Sequence, residues 1–101
     1  MPLYLDELWL DWSSPEQAKR SLAALIDVDT PTFPFPEGAR IVAGPWFSNE
    51  ETKLVFVIDI ADHAKTFGPF GLGIANGIVT RRRLSPVVEW SAVRELLKQL
   101  P

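Results

Sequence analysis

The sequence has no cysteine and only one histidine, and these two shortages exclude several kinds of chemistry. Without cysteine there is no disulfide, no thiolate nucleophile and no metal site with sulfur ligands. The single imidazole, His63, has no second histidine to share a metal ion with. We therefore expect no bound metal, and the lack of cysteine also fits a reducing cytosol.

Long apolar runs and a surplus of positive charge are missing as well. No run approaches the roughly 20 residues of a membrane span. Asp6, Glu7 and Asp11 stand where a signal peptide would carry positive charge. The formal net charge is −3, and the one basic run, 81–83, is too short to follow a phosphate backbone. We expect a cytoplasmic protein that binds neither membranes nor nucleic acid.

What is present is enough apolar sequence for a single globular domain, 1–101, because 47% of the residues are hydrophobic. Apolar patterns and turn residues predict strands at 3–12, 39–47, 53–60 and 78–90, and helices at 13–26, 63–76 and 91–100. Ser13 and Glu16 fit a capping box for the first helix, and Ser91 is expected to cap the last. The core stripe predicted for the first helix consists of Ala18, Leu22, Ala23 and Ile26.

The glycine-rich stretch GPFGLGIANG, residues 68–77, has part of the spacing of a phosphate-binding loop. Such a loop follows a strand and opens a helix, whereas here a helix precedes it and a strand follows. We therefore expect no nucleotide cofactor, and no cofactor of another kind is indicated. Because Pro69 would interrupt one continuous helix, we predict two short helices with a break at Gly68 and a stop at Asn76-Gly77. Phe67, Phe70 and Ile74 are predicted to supply the core side of this segment.

The predicted order of elements is that of a ferredoxin-like α+β sandwich, βαββαβ with a C-terminal helix. Its four antiparallel strands take the spatial order 4-1-3-2, and its helices lie on one face of the sheet. Pro45 and Pro86 fall in strands two and four, the two edges, where a proline costs no ladder hydrogen bond.

Strands one and three are apolar on both faces, although the helices can cover only one. We assign Leu8 and Leu10 to the helix side of strand one, and Glu7 to the opposite side. The helix-free side would then expose an apolar patch that monomers rarely tolerate. We therefore expect a homodimer that forms through the helix-free face of the sheet.

Three stretches, PEGARIVAGPWF, VFVIDIAD and LSPVVEW, resemble the dimeric α/β-barrel superfamily. The likeness extends over nearly the whole chain. Within the superfamily, the chain resembles small bacterial domains of unknown function of the DUF3303 type. The superfamily contains cofactor-free monooxygenases, isomerases, cyclases, haem-degrading enzymes and members with no known activity. The resemblance implies a dimer and an apolar cavity, and it implies no particular reaction.

Glu7 is the first candidate for catalysis. If its face of the sheet lines a cavity, loss of water would raise the pKa of Glu7 and suit it to general acid or base chemistry. Asp6 would take this place in the opposite register. Arg81 and Arg83 share one face and are candidates for binding a carboxylate ligand. The alternative is a structural salt bridge between Glu7 and the basic run 81–83.

His63, Trp9 and Trp46 complete the set of candidate site residues. His63 is a second catalytic candidate, as a general base or a haem ligand, or else an ordinary histidine at a helix start. Trp9 and Trp46 would line a cavity for a flat ligand, or else pack in the core or the dimer interface.

Two functions stay open, and the sequence does not decide whether the protein is an enzyme. The first is the binding or transformation of a small apolar or aromatic molecule in a cavity between sheet and partner. The second is a structural or regulatory dimer with no small-molecule activity. A cavity of about 300 Å³ or more, lined by tryptophan and one carboxylate, would favour the first.

Overall fold

The computed structural model describes residues 2–48 and 50–101, and it has an α+β architecture compatible with a ferredoxin-like fold. The strands are β1 (Leu3–Leu10), β2 (Arg40–Phe47), β3 (Lys53–Asp59) and β4 (Val79–Val87). The helices are α1 (Pro15–Leu25), α2 (Phe67–Ala75) and α3 (Trp90–Leu97), and a 3-10 turn over His63–Thr66 precedes α2.

The strands form one antiparallel sheet in the order β2-β3-β1-β4, so the predicted order 4-1-3-2 is confirmed. β2 and β3 form the predicted hairpin, and β1 and β3 are the central strands. Pro45 and Pro86 lie in the edge strands, as expected for residues that cannot donate to a ladder.

The core lies on one face of the sheet, which we call the inner face, and we call the other the outer face. Its fully buried centre is Ile58 and Ile60 at 1% exposure, with Phe56 at 3%. Phe33 and Phe35, from the proline-rich loop after α1, pack against this cluster. Leu8 packs there too, and Leu10 is buried, in line with their predicted place on the helix side.

The side of α1 that was predicted to face the core is wrong, because the helix is rotated about its axis. Leu22 and Ile26 are 58% and 62% exposed and Ala23 is exposed as well, while Ser21 is 1% exposed. Only Ala18 of the predicted stripe is half-buried. The cap is Ser14, whose hydroxyl accepts from the Gln17 backbone N–H, and not the predicted Ser13.

Polar contacts explain this rotation, because they turn the polar side of α1 towards the body of the protein. The Gln17 side chain donates to the Asp11 carboxylate (2.8 Å) and to the Gly77 carbonyl (3.3 Å). Arg20 donates to the Asn76 carbonyl at the end of α2. These directional bonds set the position of the helix, and the apolar pattern alone cannot reveal them.

The glycine-rich stretch is part of the fold, and it forms most of α2. The helix begins at Phe67, one residue before the predicted break, with Pro69 in its first turn. It ends as predicted, with Gly77 in the left-handed region at φ 70°. The predicted core role holds for half-buried Phe70 but is wrong for Phe67 and Ile74, which are 57% and 43% exposed.

The last helix begins one residue earlier than predicted. Glu89 is its N-cap residue, so Ser91 lies inside α3 and is not the cap. Every residue of α3 except Val93 is exposed. The radius of gyration is 15.6 Å, against roughly 13 Å for a compact domain of this size. α3 therefore contributes little to the core.

In the described part of the chain, no helix is long and apolar enough to cross a membrane.

Candidate functional site

A partly open cavity of about 460 Å³ lies between the inner face of the sheet and helices α1 and α2. Its wall is mostly apolar. The sheet contributes the apolar residues Leu8, Phe56, Ile58 and Val79, and most of the other apolar lining comes from α1, α2 and the loop that carries Phe33 and Phe35. The volume is within the range of small-molecule sites.

Polar side chains also line this apolar space, namely Asp6, Arg82, Thr66 and Asn76. Both Asp6 oxygens accept from one guanidinium, from Arg82 Nε at 2.9 Å and from Arg82 Nη2 at 2.8 Å. Arg82 Nη1 donates to the Thr66 hydroxyl at 2.6 Å, and that hydroxyl donates to the His63 carbonyl at 2.7 Å. The Asp6 and Arg82 side chains are each 5% exposed. The result is a buried ion pair beside an apolar cavity, in which both Asp6 oxygens and each of the three Arg82 nitrogens make one hydrogen bond.

The alternation of two neighbouring strands brings the pair together. Asp6 shares the inner face with Leu8, and Arg82 faces inward because it lies between outward-facing Arg81 and Arg83. Arg82 is paired across the sheet with Leu8, so its long side chain reaches diagonally to Asp6.

Small residues in the surrounding helices leave the cavity open. Ala24 of α1 and Gly73 of α2 both line it. A Cβ added to Gly73 would come within 2.9 Å of Val79 Cγ2, so glycine is what lets α2 approach β4. The predicted close approach of this segment to the sheet is confirmed at Gly73, whereas the positions of Gly68 and Gly71 face open space.

Glu7, the first catalytic candidate, lies on the outer face, away from this cavity. Its two oxygens accept from Arg83 Nε and Lys53 Nζ, each at 2.7 Å, and the residue is only 3% exposed. The hydrogen bond from Arg83, followed by that from Lys53, lowers the pKa of Glu7 from 4.5 to about 2, and these bonds outweigh the opposing effect of burial. The expected rise in the pKa of Glu7 is therefore wrong, because two cations compensate its loss of water.

Trp9 lies beside Glu7 on the outer face, surrounded by positive charge. The Arg81 guanidinium is 4.0 Å from the centre of a Trp9 ring, Lys53 Nζ is 4.9 Å away and the Arg83 guanidinium 5.7 Å. The structure thus brings four predicted site residues together, Glu7, Trp9, Arg81 and Arg83, in a surface network rather than a cavity. Their ligand-binding roles remain predictions.

The other two candidates lie apart from the cavity and from this network. His63 is exposed at the start of the 3-10 turn, with its ring 5.3 Å from that of Tyr4. Trp46 is 56% exposed on edge strand β2. Within residues 2–48 and 50–101, no group of three or more histidine and acidic side chains is arranged to hold a metal ion.

Sequence reasoning underrated Asp6 and missed Thr66. The signal for Asp6 was available, because it shares a register with Leu8 and Leu10 and Arg82 alternates with its neighbours. Thr66 had none, because its position depends on where the turn before α2 ends.

Comparisons with models of protein families, with curated proteins and with solved structures gave no match to this chain.

Proposed function

We propose that this protein binds a small, flat, apolar molecule in the cavity between the sheet and helices α1 and α2. One observation carries the proposal: an apolar space of about 460 Å³ is lined by a buried ion pair, Asp6–Arg82. Ligand sites typically combine an apolar wall with a few placed polar groups. A packed core would instead fill such a space with side chains.

Binding is better supported than catalysis by the state of the polar groups. Both Asp6 oxygens already accept hydrogen bonds, and the Thr66 proton is donated to the His63 carbonyl. Neither group is therefore poised to remove a proton or to attack a substrate. The cavity in this proposal lies within one chain, whereas the sequence led us to expect a cavity between the sheet and a partner.

A tryptophan that fills part of the cavity from α1 tests the proposal. Leu25 lines the cavity and Leu22, on the same helix, is 58% exposed and does not. We expect 2-ethylnaphthalene and 2-acetylnaphthalene to bind the wild type with dissociation constants of about 10–100 μM in calorimetric titrations. Leu25→Trp should weaken both at least about tenfold, and the matched control Leu22→Trp should leave both unchanged.

Two results would contradict this function. One is the absence of saturable binding of either probe up to about 1 mM. The other is equal affinity in the wild type and in a correctly folded Leu25→Trp variant, which would place the probes elsewhere.

We also propose that the protein is a homodimer of the dimeric α/β-barrel type, with outer faces packed against each other. The support is the apolar centre of the outer face, where Leu5 pairs across the sheet with Val57 and Glu7 with Val55. Leu5, Val55 and Val57 are each half-buried in the single chain. If the patches of two copies pack against each other, apolar surface is removed from water on both chains.

Light scattering during size exclusion checks this state. We expect a mass twice the 11.3 kDa of one chain at micromolar concentration. Val57→Asp should dissociate the dimer or unfold the protein, and the control Leu22→Asp, on exposed α1, should leave the mass unchanged. A wild-type mass near 11.3 kDa would overturn the proposal.

A structural or regulatory dimer is the second candidate function, and the outer-face patch is the observation that favours it. The two functions separate in one comparison. A dimer that binds neither naphthalene probe would support the second candidate, whereas binding that Leu25→Trp abolishes would support the first.

A further inference from the structure

The Arg82 guanidinium has hydrogen-bond donors to spare. It carries five N–H bonds. Three of them are donated to described residues, two to Asp6 and one to Thr66. Two N–H bonds therefore remain beyond these contacts, on a side chain that lines the cavity. A donor in an apolar space favours a ligand that brings an acceptor, because an unpaired buried donor is costly.

The charge of Arg82 is already compensated. Asp6 binds it side-on with two N–H···O bonds, and both side chains are 5% exposed. A ligand carboxylate placed here would leave one uncompensated negative charge in an apolar site. A neutral acceptor such as a carbonyl oxygen can take the spare N–H bonds without that cost.

The wall of the cavity indicates the rest of the ligand. Phe33, Phe35, Phe56 and Phe70 all line it, and the Phe70 ring is 5.6 Å from the Arg82 guanidinium. Aromatic rings pack well against other flat rings, edge to face or offset. A flat body that ends in one carbonyl near Arg82 fits both features.

We propose that the cavity selects neutral aromatic carbonyl compounds, with the ligand carbonyl accepting from Arg82, over both hydrocarbons and carboxylates of the same shape. This inference rests on the proposed function, since it names the ligand class of the same cavity. It differs from the sequence-based expectation, in which Arg81 or Arg83 would bind a carboxylate.

The test uses three naphthalenes that share one body and differ in the group at position 2: 2-acetylnaphthalene, 2-ethylnaphthalene and 2-naphthoate. Calorimetric titration of the wild type should show that the ketone binds at least about tenfold more tightly than either of the others. Equal affinity of the ketone and the hydrocarbon would overturn the inference. So would a carboxylate that binds as tightly as the ketone.

A double variant tests the role of the guanidinium without leaving a buried charge. Asp6→Asn with Arg82→Gln keeps a polar group at both positions and makes both neutral. Circular dichroism checks that it is folded. The preference for the ketone over 2-ethylnaphthalene should then fall below about threefold. A preference that persists in the folded double variant would overturn the inference. If the double variant does not fold, the wild-type series still decides.

The failure of this inference can be told apart from the failure of the proposed function. If Leu25→Trp abolishes binding but all three compounds bind the wild type equally, the cavity binds apolar molecules and the inference is wrong. If Leu25→Trp changes nothing, the probes do not occupy the cavity, and the proposed function fails first.

Discussion

Asp6 and Glu7 are neighbours in β1 that face opposite sides of the sheet, and they show how differently one strand can use two carboxylates. Each residue is 3% exposed, and each binds an arginine of β4. Asp6 gives both oxygens to Arg82, which is itself 5% exposed. Glu7 divides its oxygens between Arg83, 55% exposed, and Lys53.

The difference lies in what surrounds each pair. The inner pair is enclosed by apolar side chains and lines a cavity, so its charges are screened little by water. In a single chain the outer pair belongs to a network with Trp9 and Arg81 in which Arg83 is 55% exposed, so water can replace a lost partner. The lowered pKa of Glu7 is thus found away from the cavity, although perturbed groups are often taken as markers of a site.

The largest effect that separates the two pairs is expected from removing one arginine at a time. Arg82→Met leaves Asp6 buried without a partner and should lower the free energy of unfolding by about 3–5 kcal/mol. Arg83→Met leaves Glu7 with Lys53 and should cause a much smaller loss, because the Arg83 side chain is 55% exposed. Urea denaturation of the two variants measures the difference, and equal losses would contradict the distinction between a closed and an open pair.

Glu7→Gln tests whether the outer pair is structural. The substitution keeps the shape but removes the charge that Arg83 and Lys53 bind, so we expect a loss of about 1–2 kcal/mol in the free energy of unfolding. Affinity for the naphthalene probes should not change. If stability holds or rises while affinity falls, Glu7 is part of a functional site after all.

The loss of the free energy of unfolding in acid should depend on Glu7 as well. The folded pKa of Glu7, about 2, lies below its ordinary value of 4.5. A depressed pKa contributes stability that is fully present above about pH 4.5 and is lost as the pH falls towards 2. Denaturation measured across this window should show a steeper loss in the wild type than in Glu7→Gln. Parallel curves would contradict the lowered pKa.

A matched pair of glycines in α2 extends the contrast to the helix layer. Gly73→Ala puts a methyl group 2.9 Å from Val79 Cγ2, so we expect a net loss of about 1 kcal/mol in the free energy of unfolding. Gly71 faces open space, and Gly71→Ala should gain up to about 1 kcal/mol from helix propensity. Thermal unfolding compares them, and a stabilising Gly73→Ala would show that α2 does not approach β4 so closely.

The smallest effect is expected at Trp9. Arg81→Gln removes the cation 4.0 Å from its ring centre and should lower the free energy of unfolding by about 0.5 kcal/mol. Arg94→Gln, on exposed α3, serves as the control and should cause no measurable change. An unchanged stability in both would mean that the network around Trp9 contributes nothing to folding.

The fold was largely predictable because its signals are local and redundant. Strand alternation, the hairpin and the prolines Pro45 and Pro86 all indicate the same sheet order. The packing of α1 was not predictable, because hydrogen bonds from Gln17 and Arg20 to distant backbone and side-chain groups rotate the helix away from its apolar pattern. The N-caps lie one residue after the predicted position at Ser14 and two residues before it at Glu89, because helix ends are the boundaries that sequence patterns locate least closely.

The candidate site was predictable only in part. The alternation of β1 and β4 correctly separates Glu7 and Arg83 from Asp6 and Arg82. It does not tell which side holds an open space, because that depends on how far α1 and α2 stand from the sheet. It also does not show that Lys53, from the strand on the other side, completes the contacts of Glu7.

The central claim is that the inner face, with Asp6 and Arg82, is where a small molecule binds. A crystal structure of the protein soaked with 2-acetylnaphthalene tests it most directly. We predict the naphthalene rings between the sheet and helices α1 and α2, with the carbonyl oxygen within hydrogen-bond distance of an Arg82 nitrogen. A naphthalene bound instead on the outer face beside Trp9, or a cavity filled by the protein's own side chains, would contradict the account.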